Sequence, residues 1–270
     1  MDVAPRQVDP GYIAAHLDDA DVRLVEVDVS PAAYRTGHIP GAVLWDAYVD
    51  LRRPDYTTVP DDQLRALVRR SGIGPETTVL TYGYAAHLGY WLLQSCGHER
   101  AGLMDGSRDR WVEAGHAWST DIPTPIPTGY DLPAQQRFIA STDEVAAMTA
   151  DPSRVLVDVR SDAEYTGAQF WPSGTPEAKG RPGHIPGAVH LPIDSLRTSD
   201  GVFRSQTEMR KVLDDHGLTP SSEVVLYCTI GNRAAQAWFA LTSLLDYENV
   251  RVYYDSYVDW GMDPTSAIEV

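Results

Sequence analysis

One heptapeptide occurs twice in this chain of 270 residues, and this repeat constrains the fold more than any other feature. Gly-His-Ile-Pro-Gly-Ala-Val stands at residues 37–43 and recurs without change at residues 183–189. An apolar segment precedes each copy, at residues 23–29 and 154–160, and matching helical patterns follow. Seven identical residues in register, between matching flanks, indicate a duplicated domain rather than a chance repeat.

The pattern within each copy indicates an α/β fold. Short apolar runs at residues 78–82 and 224–227 are typical of buried parallel strands, and helical patterns alternate with them. The sequence therefore predicts two α/β domains in tandem, each a mainly parallel sheet flanked by helices, with ligands at the carboxyl ends of the strands. Aligned in this way, Val27 of the first copy stands at the position of Asp158.

A proline-rich segment separates the two copies. Residues 120–133 contain four prolines, which block both a helix and a central strand, so an extended linker is predicted here. We expect a non-catalytic first domain at residues 1–120, a linker at 121–136 and a catalytic second domain at 137–270.

The second copy carries a thiol between a strand and a helix. Cys228 directly follows the predicted strand 224–227, and a strongly apolar segment at 234–241 predicts a well-covered helix. A helix N-terminus offers free backbone N–H groups and roughly half a positive charge, which favour an anion and hence a thiolate. Arg233 adds a full positive charge to the same turn. The stretch predicts an anion-binding cradle with a nucleophile in it.

A lone cysteine at the end of a strand is more often a small buried hydrophobic residue than a nucleophile. The turn Gly231-Asn232-Arg233 favours the nucleophile, because a cysteine of the core needs no such turn. Cys96 ends a helix, where the dipole is negative, so no catalytic role is expected for it. In the first copy Gly83 takes the place of the cysteine, and the path to the next tryptophan is two residues shorter, so this copy is expected to be inactive.

The composition excludes several classes of function. A formal net charge of −16 argues against nucleic acid or an anionic membrane as a partner. Two cysteines in 270 residues form no disulfide framework and are typical of a reducing compartment, so a cytoplasmic protein is expected. No apolar run has the length of a membrane span, and no His or Cys pair has metal-ligand spacing, so neither a metal nor another cofactor is expected. The sequence gives no oligomeric state.

The paired heptapeptide and the cysteine confined to the second copy resemble the tandem rhodanese-type sulfurtransferases. The segment 227–233 with Trp238 is most similar to the bacterial thiosulfate branch of that family. The resemblance covers nearly the whole chain. It implies that Cys228 takes a sulfane sulfur from a small anionic donor as a persulfide, and passes it to a thiophilic acceptor such as cyanide or a thiol.

Other residues are expected at the same site. Backbone N–H groups of residues 229 to 233 are expected to hold the outer sulfur, and Arg233 and Arg181 to hold the anionic end of the donor. The resemblance places Asp158 near the cysteine, and a pairing of Asp158 with Arg160 or with a loop amide is the structural alternative. The insertion at residues 166–182 carries Trp171, Lys179 and Arg181 and is expected to form a wall over the site. The expected binding residues are Thr229, Ile230, Gly231, Asn232, Arg233, Arg181 and Asp158.

The chain departs from the family pattern at three places. Thr229 and Ile230 stand where the thiosulfate enzymes carry a basic pair, and Glu164 aligns with an arginine of some members. The segment 254–257 lacks the glycine of a family motif. These departures leave thiosulfate and 3-mercaptopyruvate both open as donors, with thiosulfate favoured by the loop.

Two other functions remain open. Phosphatases and arsenate reductases of this fold use a Cys-x5-Arg loop, whereas Cys228 and Arg233 enclose four residues, which favours a smaller sulfur atom. A non-enzymatic sulfur carrier is the other alternative, although a complete loop in the second copy argues against it.

Overall fold

The computed structural model describes residues 5–104, 106–135, 137–151, 154–173, 180–199 and 201–270. The chain forms two compact units. The first comprises residues up to Pro54 together with Thr58–Arg137, and the second comprises Asp55–Thr57 together with Phe138–Val270. None of the helices in the described ranges is long and apolar enough to cross a membrane.

The first unit is a parallel sheet of five strands with helices between them. Its strands are β1 (Gln7–Val8), β2 (Val22–Asp28), β3 (Val43–Asp46), β4 (Thr78–Tyr82) and β5 (Ala101–Met104), in the order β1-β5-β4-β2-β3. Its helices are α1 (Pro10–Ala15), α2 (Pro31–Thr36), α3 (Asp61–Arg70), α4 (Ala86–Ser95) and α5 (Arg110–Glu113).

The second unit repeats this arrangement. Its strands are β6 (Ile139–Ala140), β7 (Val155–Asp158), β8 (Val189–His190), β9 (Val224–Tyr227) and β10 (Val250–Tyr253), in the order β6-β10-β9-β7-β8. Its helices are α6 (Thr142–Met148), α7 (Asp162–Tyr165), a 3₁₀ turn (Ile193–Leu196), α8 (Gln206–Asp215), α9 (Asn232–Phe239), a π-helical turn (Ala240–Leu244) and α10 (Ser256–Met262). The two strand orders are the same, and the predicted tandem α/β fold is confirmed.

The repeated heptapeptide makes the same hydrogen bonds in both units, and these hold it against the sheet. Tyr34 and Tyr165 donate to the carbonyl oxygens of Ala42 and Ala188, at 2.7 and 3.0 Å. The backbone N–H groups that follow the two motif histidines donate to the hydroxyls of Tyr82 and Tyr227, at 3.0 and 3.2 Å. Because both units make these bonds, the motif serves the fold rather than the chemistry of one site.

The strand register corrects one part of the repeat alignment. Tyr82 and Tyr227 occupy equivalent positions at the ends of β4 and β9, and β2 pairs Glu26 with Tyr82 while β7 pairs Asp158 with Tyr227. The equivalent of Asp158 is therefore Glu26, and the expected match with Val27 was wrong by one residue. Counting apolar positions does not fix the register, whereas the hydrogen-bonded ladder does.

The proline-rich segment runs without helix or strand, as an extended connection. It is held along α3 of the first unit, where Arg65 and Arg69 donate through Nε to the carbonyl oxygens of Leu132 and Tyr130, each at 2.8 Å. These bonds explain why the chain up to Arg137 belongs to the first unit.

Candidate active site

Cys228 lies at the carboxyl end of β9, in the four-residue connection to α9. Its thiol accepts a hydrogen bond from the backbone N–H of Gly231, with N and Sγ 3.1 Å apart. The residue is only 1% exposed. The predicted position, with a thiol facing the start of a helix, is confirmed by this geometry.

Gly231 gives the loop its turn. It is the N-cap of α9 and has φ of 89°, a left-handed conformation that side chains disfavour and glycine adopts freely. The turn points the Gly231 N–H back at Cys228 while the chain enters the helix. Asn232 is the first helical residue, is 7% exposed, and among the described residues its buried Oδ1 has no hydrogen-bond partner.

The start of α10 holds the loop from its outer side. The backbone N–H groups of Tyr257 and Val258 donate to the carbonyl oxygens of Cys228 and Thr229, at 2.9 and 3.0 Å. The N–H of Cys228 donates to Ser256 Oγ at 3.4 Å. Ser256 adopts φ of 60°, an uncommon angle for a residue other than glycine. Because the carbonyl oxygens of Cys228 and Thr229 are hydrogen-bonded to α10, the loop can direct N–H groups toward the thiol.

Three side chains join the two ends of the loop. Arg233 donates to Glu164 through Nη1 at 2.7 Å and through Nη2 at 2.8 Å, and its Nη2 also donates to Thr229 Oγ1 at 2.7 Å. Thr229 donates in turn to Glu164 Oε1 at 2.6 Å. We call Glu164, Thr229 and Arg233 the loop clamp. Arg233 was expected to hold the donor, but its charge is compensated within the protein.

The clamp perturbs both of its ionisable members. Burial by itself would raise the pKa of Glu164, but hydrogen bonds from Arg233 and its charge lower that pKa to about 2. Burial would lower the pKa of Arg233, and the hydrogen bond to Glu164 raises it instead. Both side chains are thus charged across the physiological range, and the pair is an ion pair rather than a neutral contact.

A second buried ion pair lies beside the site. Asp158 accepts from Arg160 Nε at 3.0 Å and from Nη2 at 2.6 Å, and both side chains are fully buried. Arg160 also donates to the carbonyl of Gly183 at 2.7 Å, and its Cζ lies 3.8 Å from the ring centre of Tyr257. Of the two alternatives for Asp158, the structure contains the pairing with Arg160. A direct contact of Asp158 with substrate stays a prediction.

The insertion contributes apolar side chains to the core of the second unit. Phe170 and Trp171 are buried in the core of the second unit, and Ile230 of the loop packs against that core cluster. Arg181 donates through Nη2 to the carbonyl oxygens of Asp263 and Ser266, the latter at 2.7 Å, so its described hydrogen bonds lead to the C-terminal segment rather than to the loop. Lys179 lies outside the described residues. A role of Arg181 toward a donor stays a prediction.

The equivalent place in the first unit lacks both the cysteine and the glutamate of the loop clamp. Gly83 directly follows β4 with φ of 99°, and a Cβ there would lie 2.8 Å from the carbonyl oxygen of Val27. Only three residues connect β4 to α4, so part of the predicted two-residue difference falls in the loop and part in the helix. Tyr34 matches Tyr165, so Ala33 stands where the second unit has Glu164.

Cys96, the other thiol, is buried at the end of α4. Burial raises its pKa to about 12, which keeps it protonated at neutral pH. Sequence reasoning expected the helix dipole to disfavour the thiolate of Cys96, and the structure adds burial as a further cause.

Sequence reasoning did not identify the role of Glu164, which it treated only as a departure in charge. It also missed Ser256, whose hydroxyl meets the backbone of Cys228. A usable signal existed for Glu164, since Ser161 followed by Glu164 marks a capping box at the start of α7. Within the described ranges, no group of three or more His, Cys, Asp or Glu side chains is placed to hold a metal ion.

Fold and site define a tandem α/β protein in which one domain presents a cysteine at the start of a helix, with a backbone N–H group donating to its thiol. Comparison with known families agrees: the rhodanese-like domain matches residues 9–114 and again residues 141–263. The chain belongs to the rhodanese family, with two rhodanese-like domains in tandem.

Relatives of known name cover nearly the whole chain. A "Sulfur carrier protein TtuD" of Thermus thermophilus is 35% identical over 266 residues, which is 94% of this chain and 93% of the relative. A "Putative thiosulfate sulfurtransferase" of Mycobacterium tuberculosis is 35% identical over 270 residues, 97% of both chains. Another protein of that name, from Haloferax volcanii, is 36% identical and covers 94% of this chain and 92% of its own.

Solved structures show the same arrangement. The anaerobic ergothioneine biosynthesis enzyme of Chlorobium limicola, in complex with trimethyl histidine, has a TM-score of 0.86 and 25% identity, covering 98% of this chain and 70% of its own. A further structure, of EanB with a cysteine persulfide and ergothioneine, has the same TM-score, identity and coverage.

Proposed function

We propose that this protein is a sulfurtransferase that moves a sulfane sulfur from thiosulfate to a thiophilic acceptor through a persulfide on Cys228. The observation that carries the proposal is the hydrogen bond from Gly231 N–H to the Cys228 thiol, 3.1 Å long, at the start of α9. Converging N–H groups and a helix N-terminus stabilise a thiolate and, equally, the anionic outer sulfur of a persulfide. The rhodanese family membership and the names of the relatives support the same chemistry.

The reaction balances in two displacement steps. In the first, the Cys228 thiolate attacks the outer sulfur of thiosulfate, a Cys–S bond forms, the S–S bond of the donor breaks, and sulfite leaves with the electron pair. In the second, cyanide or a thiolate attacks the outer sulfur of the persulfide, and the Cys228 thiolate is released. Neither step needs a general base, because nucleophile and leaving group are both anions.

The domains have separate roles in this proposal. The second domain, residues 137–270, carries the reaction, and the first domain, residues 1–120, does not, because Gly83 offers no nucleophile. The linker at residues 121–136 joins them. Backbone N–H groups of residues 229 to 233 are the expected donors to the bound sulfur.

Intact mass spectrometry tests the proposal. After incubation with thiosulfate and removal of the excess, the protein is expected to gain the mass of one sulfur atom, and Cys228→Ser is expected to gain none. Parallel incubation with 3-mercaptopyruvate compares the donors, and kcat/KM with cyanide as the common acceptor is expected to favour thiosulfate. A preference for 3-mercaptopyruvate would overturn the choice of donor. Absence of any sulfur gain would overturn the persulfide.

A sulfur carrier is the second candidate, and the observation that favours it is the similarity to the carrier of Thermus thermophilus. A carrier also loads one sulfur on Cys228, but small acceptors do not turn it over. Steady-state production of thiocyanate from thiosulfate and cyanide separates the two: many turnovers per protein support the enzyme, and no more than one turnover supports the carrier.

A further inference from the structure

Glu164 is fully buried, and its carboxylate serves two structures at once. Toward its own helix, it accepts from the backbone N–H of Ser161 at 3.2 Å and from the Ser161 hydroxyl at 2.8 Å. Toward the loop, it accepts from Thr229 and, in bidentate fashion, from Arg233. One carboxylate thus fixes the loop to α7, an element that precedes it by more than sixty residues.

Thr229 and Arg233, the two residues that Glu164 binds in this region, stand on either side of Gly231, whose N–H donates to the thiol. Thr229 directly follows Cys228, Arg233 is the second residue of α9, and Gly231 lies midway between them. Fixing both flanks restricts the rotation of the peptide that carries the Gly231 N–H. The backbone bonds from α10 hold only the carbonyls of Cys228 and Thr229, so α10 does not replace the clamp at the Arg233 end.

The first unit shows what the fold requires in the absence of this clamp. It has the same strand order and the same motif hydrogen bonds, yet Ala33 stands at the position of Glu164 and His87 at the second position of α4. The fold therefore forms without a carboxylate at this place. The loop clamp occurs in the unit that carries the cysteine, whereas both units have the same sheet.

We propose that Glu164 is a positioning residue for sulfur transfer: it holds Thr229 and Arg233 so that the Gly231 N–H stays directed at the sulfur on Cys228. The inference rests on the proposed function. In this role Glu164 touches neither donor nor acceptor. Its removal is expected to reduce kcat, because the anionic sulfur loses a directed donor, while KM for thiosulfate stays close to the wild-type value.

The test compares Glu164→Ala and Glu164→Gln with a matched control, Glu144→Ala. Glu144 also closes a capping box, with Ser141, and also pairs with an arginine, Arg251 at 2.8 Å, but both of these partners lie outside the loop. Glu164→Ala is expected to lower kcat roughly ten- to a hundredfold, which corresponds to the loss of one charge-assisted hydrogen-bond network. Glu164→Gln, which keeps an acceptor oxygen, should recover part of that loss. Glu144→Ala should leave kcat within about twofold of wild type.

Hydrogen exchange adds a measurement that needs no sulfur donor. In Glu164→Ala, the peptide spanning residues 228–233 is expected to exchange at least about tenfold faster than in wild type, and in Glu144→Ala it should exchange at the wild-type rate. Circular dichroism confirms that each variant is folded, and Glu164→Gln serves if the alanine variant is not.

The outcomes separate the two proposals. Unchanged exchange and unchanged kcat in a folded Glu164 variant would overturn the positioning role, and so would a raised KM at constant kcat, which would indicate direct contact with the donor. A wild-type protein that gains no sulfur would overturn the proposed function instead, while faster exchange in Glu164→Ala would still support the clamp.

Discussion

The two halves of this molecule share a sheet order and a hydrogen-bonded motif, and they differ at one loop. In the first unit, β4 is followed by Gly83 in a three-residue turn. In the second, β9 is followed by Cys228 in a four-residue turn that α10 and the loop clamp hold. Features that both units share stabilise the domain fold, and features confined to the second unit belong to its candidate active site. Tyr34 and Tyr165 make the same bonds in both units, whereas the loop clamp exists in the second unit only.

The buried carboxylates beside the loops differ in a similar way. Asp158 is paired closely with Arg160, which follows it two residues later in the chain. Its equivalent Glu26 faces Arg108, which comes from a segment after β5, and the nearest approach of the pair is 3.3 Å. Among the described residues, neither Glu26 Oε1 nor Arg108 Nε makes a hydrogen bond. The first unit thus retains a carboxylate and a guanidinium, but in a looser pair.

The largest expected effect tests which copy reacts. Cys228→Ser should abolish sulfur transfer, because the nucleophile is lost, while Cys96→Ser should remain near wild type, because burial raises the pKa of Cys96 to about 12 and keeps it protonated. Thiocyanate formation measures both. A folded Cys96→Ser protein without activity would contradict the assignment of the nucleophile.

A cysteine introduced at position 83 would make the loop of the first unit resemble that of the second. Gly83→Cys in a Cys228→Ser background should not restore turnover, because a Cβ at Gly83 meets the Val27 carbonyl at 2.8 Å and the backbone has φ of 99°. That carbonyl is itself held by the N–H of Ala85 at 2.9 Å and cannot easily move aside. The strain should also reduce the free energy of unfolding by about 1–3 kcal/mol. Measurable turnover would show that the first cradle is intact.

A smaller effect is expected when the clamp loses its cation. Arg233→Ala leaves the buried Glu164 without its ion-pair partner and frees one end of the loop, so kcat/KM should fall roughly ten- to a hundredfold. Arg251→Ala, which breaks a more exposed pair in the same unit, is the control and should have little effect. Steady-state kinetics with thiosulfate and cyanide measure kcat/KM for both variants. An unchanged kcat/KM for Arg233→Ala would show that the loop clamp, by which the second unit differs from the first, does not contribute to the reaction.

The buried glutamates should give the two units opposite pH dependence. The folded pKa of Glu164 lies at about 2, below its ordinary value of 4.5, so its contribution to stability is present above pH 4.5 and is lost as pH falls toward 2. The difference corresponds to about 3 kcal/mol of unfolding free energy at neutral pH. Burial raises the pKa of Glu26, more than Tyr82 and Arg108 lower it, so the stability from Glu26 is present below pH 4.5 and is lost as pH rises through the raised value.

Two substitutions measure these signs. At pH 7, Glu164→Gln should lower the thermal unfolding midpoint, and Glu26→Gln should raise it or leave it unchanged. When thermal unfolding is measured between pH 3 and 7, the difference in unfolding midpoint between Glu164→Gln and wild type should become smaller as the pH falls. If both substitutions lower the unfolding midpoint equally at pH 7, Glu164 and Glu26 stabilise their units in the same way, and the predicted opposite pH dependence is wrong.

Much of the fold follows from local sequence, because strand and helix signals are local. The repeat, the strands 78–82 and 224–227, and the thiol at a strand end were all predicted. The partner of Arg233 was not, because it lies 69 residues away and becomes adjacent only when α7 folds onto the loop. Arg181 was assigned by its charge alone, which carries no information on direction, and the structure turns its guanidinium toward Asp263 and Ser266.

The backbone at Gly83 has a consequence for how this protein evolves. Duplication gives one copy freedom to drift, and a cysteine lost by a single codon change can ordinarily be regained by another. At Gly83 the backbone is left-handed, with φ of 99°, and a Cβ would lie 2.8 Å from the carbonyl oxygen of Val27. A return to cysteine therefore requires the turn to change together with the codon. We therefore expect this steric barrier to oppose a second reactive thiol in the first copy.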